Sequence, residues 1–197
     1  MRRFLSSSAV ATVLLMLPVA AMAQTVGSEV QRDVNQQQRI EQGLQSGQLT
    51  TGEAARLERG EARIDRMESR SLRDGTLTNA EKARIGAAQN RESAAIYGAK
   101  HNGLVGNPDS PSSQRMQADV QRNVNQQQRI EQGVQSGRLT NREVGRLEGG
   151  QARIDRKEAR AGADGHVGPR EQWRVQHAEN AASHHIYRAK HNGQWRQ

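Results

Sequence analysis

The chain has 197 residues, a formal charge of +8, 34% hydrophobic and only 3% aromatic residues, and no cysteine. A disulfide framework is thereby excluded, and so is the thick aromatic core of a conventional enzyme of this size. Ala, Arg, Glu and Gln dominate, and these residues favour helices.

The N-terminus reads MRRFLSSS, then the apolar run Ala9 to Ala20, then Ala21-Met22-Ala23. A basic start, a hydrophobic stretch of about a dozen residues and an A-x-A site predict a secretory signal peptide over residues 1–23. The run is too short for a stable membrane anchor. The expected location is periplasmic or secreted, with the mature chain starting at Gln24 and carrying a charge of about +6. No later segment reads as a transmembrane helix. Over the mature chain Leu, Ile and Val form only about 14% of residues, which predicts thin amphipathic helices of modest stability.

Val30 to Thr50, VQRDVNQQQRIEQGLQSGQLT, returns as VQRNVNQQQRIEQGVQSGRLT from Val120 to Thr140. The match continues without a gap to Gly103 and Gly193, with about 44 identities over 74 positions at a constant offset of 90. Self-similarity at this level marks duplication of one structural unit. The Gly, Pro and Ser-rich segment between the copies reads as a linker. The expected organisation is therefore unit one at 24–103, a flexible linker at 104–117, and unit two at 118–197.

Inside each unit a shorter pattern recurs. Ser46-Gly47-x-Leu49-Thr50-x-x-Glu53 is echoed by Asp74-Gly75-x-Leu77-Thr78-x-x-Glu81. Unit two carries Ser136-Gly137-x-Leu139-Thr140-x-x-Glu143 and Asp164-Gly165-x-Val167-Gly168-x-x-Glu171. Each Thr-x-x-Glu is a capping box, and each Ser-Gly or Asp-Gly suits a left-handed turn. The pattern predicts an all-α fold of two tandem units with about three helices each, sharing a long central helix. Leu57, Gly60, Ile64 and Met67 share one face of the central helix, and Leu147, Gly150, Ile154 and Lys157 share the equivalent face. In the last helix the faces are Ile85, Ala88, Glu92, Ile96 and Ala99, and Val175, Ala178, Ala182, Ile186 and Ala189. The remaining Arg and Glu read as solvated pairs on outer faces.

Asp74, Gly75, Leu77 and Glu81 occupy positions 5, 6, 8 and 12 of an EF-hand frame, as do Asp164, Gly165, Val167 and Glu171. The chain thus resembles a degenerate EF-hand tandem repeat of the bacterial periplasm. That resemblance implies helix-loop-helix pairs and weak calcium binding by Asp74, Thr76 and Glu81, and by Asp164, His166 and Glu171. Positions 1 and 3 depart from it, since Arg70, Leu72, Arg160 and Gly162 offer no side-chain oxygen. Useful affinity would need Asp65, Glu68, Asp155 or Glu158 from the central helices. Pure helix capping explains the same letters.

His177, His184 and His191 recur every seven residues, about 10.5 Å apart on a helix, too far to share one ion. No nucleophile elbow, phosphate loop or zincin motif is present, so catalysis is not expected. Export and interspersed glutamates argue against nucleic acid and for an envelope protein or anionic envelope component as partner. Two functions stay open: weak divalent-cation binding, with calcium as the ion, and a metal-independent interaction or stress protein. For the second, the Leu-Thr-x-x-Glu helix starts resemble the Leu-Thr-x-x-Gln motifs of small periplasmic helical chaperones. The repeated Ile-Tyr-x-Ala-Lys-His-Asn tails read as Tyr packed within its own unit.

Overall fold

The computed structural model describes residues 23–195. The expected signal peptide lies almost wholly outside the described residues. Six helices, and no strand among the described residues, run in the order α1 (Ala23–Gln45), α2 (Thr51–Ser71), α3 (Asn79–Lys100), α4 (Pro111–Gln135), α5 (Asn141–Ala161) and α6 (Pro169–Lys190). The all-α expectation holds, and α5 and α6 repeat the bounds of α2 and α3 at the offset of 90.

The helix boundaries follow from local chemistry. Thr50, Thr78 and Thr140 each accept a hydrogen bond from the backbone amide three residues on, while Glu53, Glu81 and Glu143 reach back to the cap amide. Gly168 has no hydroxyl, yet Glu171 Oε2 still accepts from its amide at 2.8 Å, and Pro169 takes the first helical position. Gly75 and Gly165 adopt φ of 87° and 86°, the left-handed turn that the Asp-Gly pairs predict. The expected linker is shorter than its composition suggests. Ser110 caps α4 with Pro111 at its first turn, so residues 111–117 are helical, and Met116 is fully buried.

The two repeats do not stand apart. α2 packs mainly on α5 and α1 on α4, while α3 covers α1 and α2, and α6 covers α4 and α5. The central pairs are antiparallel, as Gly145 meets Leu72 at one end of α2/α5 and Gly162 meets Ala55 at the other. Each repeat thus completes the other's core, which suits units too poor in Leu, Ile and Val to bury a core alone. One apolar cluster joins Ile40, Leu44, Leu57 and Ile96 to Met116, Val120, Ile154 and Val175. The other joins Val26, Val30 and Leu72 to Ile130, Val134, Leu147 and Ile186. Between these two ends the interior is polar. Among the described residues, no helix is long and apolar enough to cross a membrane.

Candidate metal centre

The middle layer of α1, α2 and α5 carries carboxylates. Asp33, Glu58, Glu61, Asp65, Glu68, Glu148, Asp155 and Glu158 are each at most 2% exposed. This corrects the reading of the Arg/Glu-rich helices as solvated ion-paired faces. Among the described residues one ion pair forms, Arg122 Nε to Glu179 Oε2 at 3.0 Å; it engages none of these eight acids, although the buried Glu179 helps to raise the pKa of Glu158. The physical reason is segregation by face. On α2, Glu58, Glu61, Asp65 and Glu68 step by three and four residues along the buried stripe beside Leu57 and Ile64. Arg56, Arg59, Arg63 and Arg70 run along the opposite, exposed stripe. Pairing at i,i+4 would have mixed the signs on one face. The separation of acids from arginines was the signal in the sequence that could have located this layer.

Two groups of three converge. One carboxylate oxygen from each of Asp33, Asp65 and Glu68 lies within 4.8 Å of the others, and the same holds for Glu58, Asp155 and Glu158. The second group spans the repeats, and a carboxyl–carboxyl hydrogen bond from Asp65 to Asp155 couples the two groups. Amides frame each group. Gln89 donates to Asp33 Oδ1 at 2.9 Å and to Glu68 Oε1 at 3.2 Å. Asn123 donates to Glu158 Oε2 at 2.7 Å, and Gln37 donates to Glu58 Oε2 at 3.1 Å. Asn123 is the repeat equivalent of Asp33, so the two groups are related but not identical.

These acids are under-satisfied. Asp33, Glu58, Asp65, Glu68, Glu148, Asp155 and Glu158 each keep one buried oxygen that no amide, hydroxyl or cationic group reaches. Glu61 keeps two. Burial is the main cause of raised pKa values throughout. It lifts Asp33 and Glu58 to about 7 and Glu148 to about 8. Glu61, Asp65, Glu68, Asp155 and Glu158 are pushed well above the carboxylate range by burial, reinforced by their acidic neighbours. Eight ionised carboxylates cannot coexist in a dry layer without cations. Either protons or metal ions must neutralise them. An all-oxygen donor set of carboxylates with nearby amide carbonyls suits hard divalent cations such as Ca²⁺, Mg²⁺ or Mn²⁺.

The residues expected to bind calcium lie elsewhere. Asp74 Oδ1 accepts from the amide and hydroxyl of Thr76, both at 2.9 Å, and these bonds hold the carboxyl below its usual range. Glu81 Oε2 accepts from the hydroxyl of Thr78 at 2.6 Å and from its amide at 2.9 Å. Asp164 accepts from the amide of His166 at 2.9 Å, and both residues are exposed. Glu171 is held by the Gly168 amide. Asp65, Glu68, Asp155 and Glu158 point into the core rather than toward these loops, and there the structure brings them together. His177, His184, His185 and His191 are exposed and join no acidic group. Tyr97 and Tyr187 do not pack inside their units. They are 62% and 58% exposed and stack on His101 and His191. Comparison with protein-family models, with curated proteins and with solved structures finds no match.

Proposed function

We propose that the chain is an exported, non-catalytic helical repeat protein that holds divalent cations in the interior of its duplicated bundle. The observation that carries this reading is the pair of three-carboxylate groups, Asp33/Asp65/Glu68 and Glu58/Asp155/Glu158, buried with none of the six in an ion pair among the described residues. A divalent ion in each group would offset four of the negative charges, and the coupled neighbours would keep protons. In this reading Asp74, Glu81, Asp164 and Glu171 act as turn and cap residues. Because the groups are closed to solvent, loading requires local opening or occurs as the chain folds, so exchange is slow.

The test is equilibrium dialysis of the mature chain, unfolded and refolded in Ca²⁺, Mg²⁺ or Mn²⁺, followed by elemental analysis. Two ions per chain are expected, falling to none in Asp65→Asn/Asp155→Asn and unchanged in Glu81→Gln/Glu171→Gln. Retention of no ion by the wild type removes the reading. Loss of ions only in the Glu81/Glu171 variant would move the site to the loops.

A metal-independent interaction protein is the second reading, favoured by the surface placement of Tyr97, Trp173, Tyr187 and Trp195, each at least 58% exposed. Suppression of client aggregation in the presence of a chelator would support it.

A further inference from the structure

The two repeats differ over the central glycine of α2 and α5, Gly60 and Gly150. In unit one, Glu92 of α3 lies across Gly60 of α2, so close that a Cβ at Gly60 would overlap its carboxylate. Burial lifts the pKa of that carboxyl to about 7, and the charge of Arg63 acts against the rise. In unit two the equivalent of Glu92 is Ala182, and the surface over Gly150 is open. Around a Cβ built on Gly150, the nearest atom within 4 Å is Arg153 Nη2, at 3.8 Å. Arg153 is the repeat equivalent of Arg63. Unit two therefore keeps the carboxylate's seat and its arginine but lacks the carboxylate.

The space left is a groove of about 590 Å³ between α5 and α6, within the range of small-molecule sites. Its floor is apolar, built from Leu147, Ile154, Ala182 and Ile186. Its rim carries Arg146, Arg153, Lys157 and Arg188. None of these four forms an ion pair among the described residues. Lys157 and Arg188 replace Met67 and Gly98 of unit one, so the change that removed an acid also added two cations. The acid on the lining, Glu143, is already engaged by Thr140 and by Asn192. From Glu143 to Lys157 the groove follows roughly 20 Å of α5.

We propose that this groove binds a fatty-acid-like anion, its carboxylate seated over Gly150 beside Arg153 and its acyl chain along the Leu147/Ile154/Ile186 floor. The position of Glu92 in unit one shows where a carboxylate rests on this scaffold. Three further cations on the rim strengthen the attraction for a free anion. The floor is mainly aliphatic, and its one buried amide, Gln151, already donates to Gln126 Oε1, which selects an alkyl chain over a polar body. The site is independent of the interior acids and goes beyond the cation reading.

The experiment is calorimetric titration of the mature chain with laurate below its micelle range, in chelator so that cation binding does not contribute. One laurate per chain is expected. Ala182→Glu, which restores the residue of unit one, should weaken binding at least tenfold. Lys157→Met/Arg188→Gly, on the exposed rim, should weaken laurate at least fivefold and leave 1-dodecanol unchanged. Circular dichroism checks that both variants stay helical, and the rim variant decides if Ala182→Glu does not fold. The proposal is overturned if the wild type takes up no laurate, if Ala182→Glu folds and binds it equally well, or if the rim variant leaves laurate affinity intact.

Discussion

Glu61→Gln should make the metal-free protein more stable. Glu61 is 1% exposed, both its oxygens lack a donor, and Asp33, Glu58, Asp65 and Glu92 all push its pKa further up. The other repeat has already made this change. Gln151, its equivalent, donates to Gln126 Oε1 at 3.0 Å. In unit one the matching oxygen, Gln36 Oε1, is buried and without a partner. A glutamine at 61 would therefore remove a buried acid and satisfy an orphan acceptor together. A buried unsatisfied group costs about 1–3 kcal/mol, and a new hydrogen bond contributes about 1 kcal/mol. At roughly 2–4 °C per kcal/mol for a chain of this size, the melting temperature should rise by roughly 5–15 °C. Scanning calorimetry in chelator at pH 7.5 measures it. A fall in melting temperature, or no change, would refute the account of this layer as under-satisfied.

Raised carboxyl pKa values fix the sign of the pH dependence. Stability contributed by such groups is present below the unfolded carboxyl range near 4 and is lost as pH rises through the folded values. With Asp33 and Glu58 at about 7 and Glu148 at about 8, the metal-free melting temperature should fall between pH 5 and pH 9. Ionising a group such as Glu58 in the fold costs on the order of 3 kcal/mol, which thermal melts across that range would detect. Glu81→Gln should weaken one capping box and lower the urea midpoint slightly, without touching the interior. Gly106→Ala should destabilise by more than 2 kcal/mol, since its Cβ would overlap the carbonyl oxygen of Leu49. Loss of the urea midpoint shift in that variant would show that the connection between the repeats yields easily.

Much of the architecture was legible because it rests on local chemistry. Thr50, Thr78 and Thr140 mark helix starts through a hydroxyl and a glutamate three residues on, and Gly75 and Gly165 mark stops through a left-handed turn. Those signals need no knowledge of tertiary partners. The pairing of α2 with α5 did need it. Leu57, Ile64, Leu147 and Ile154 define buried stripes, but the stripe alone does not say which helix covers it. The same gap hid the acids. Glu58, Glu61, Asp65 and Glu68 look like half of a set of surface pairs until another copy of the same stripe lies against them. The loops drew attention because Asp74 and Glu81 match a known spacing, whereas their oxygens serve the backbone of Thr76 and Thr78. At Ala182 the departure from Glu92 was visible as one letter, and only the space above Gly150 gave it meaning.

Divalent cations bound by the buried acids would register in scanning calorimetry at pH 8, comparing the chelated chain with chain refolded in millimolar Ca²⁺, Mg²⁺ or Mn²⁺. At a hundred times the dissociation constant, binding adds about 2.7 kcal/mol per site, so the melting temperature should rise by roughly 5–10 °C per occupied group. The rise should vanish in Asp65→Asn/Asp155→Asn, whose metal-free form should melt higher than the wild type. Equal melting temperatures with and without every cation, or a rise that survives that double substitution, would contradict the account.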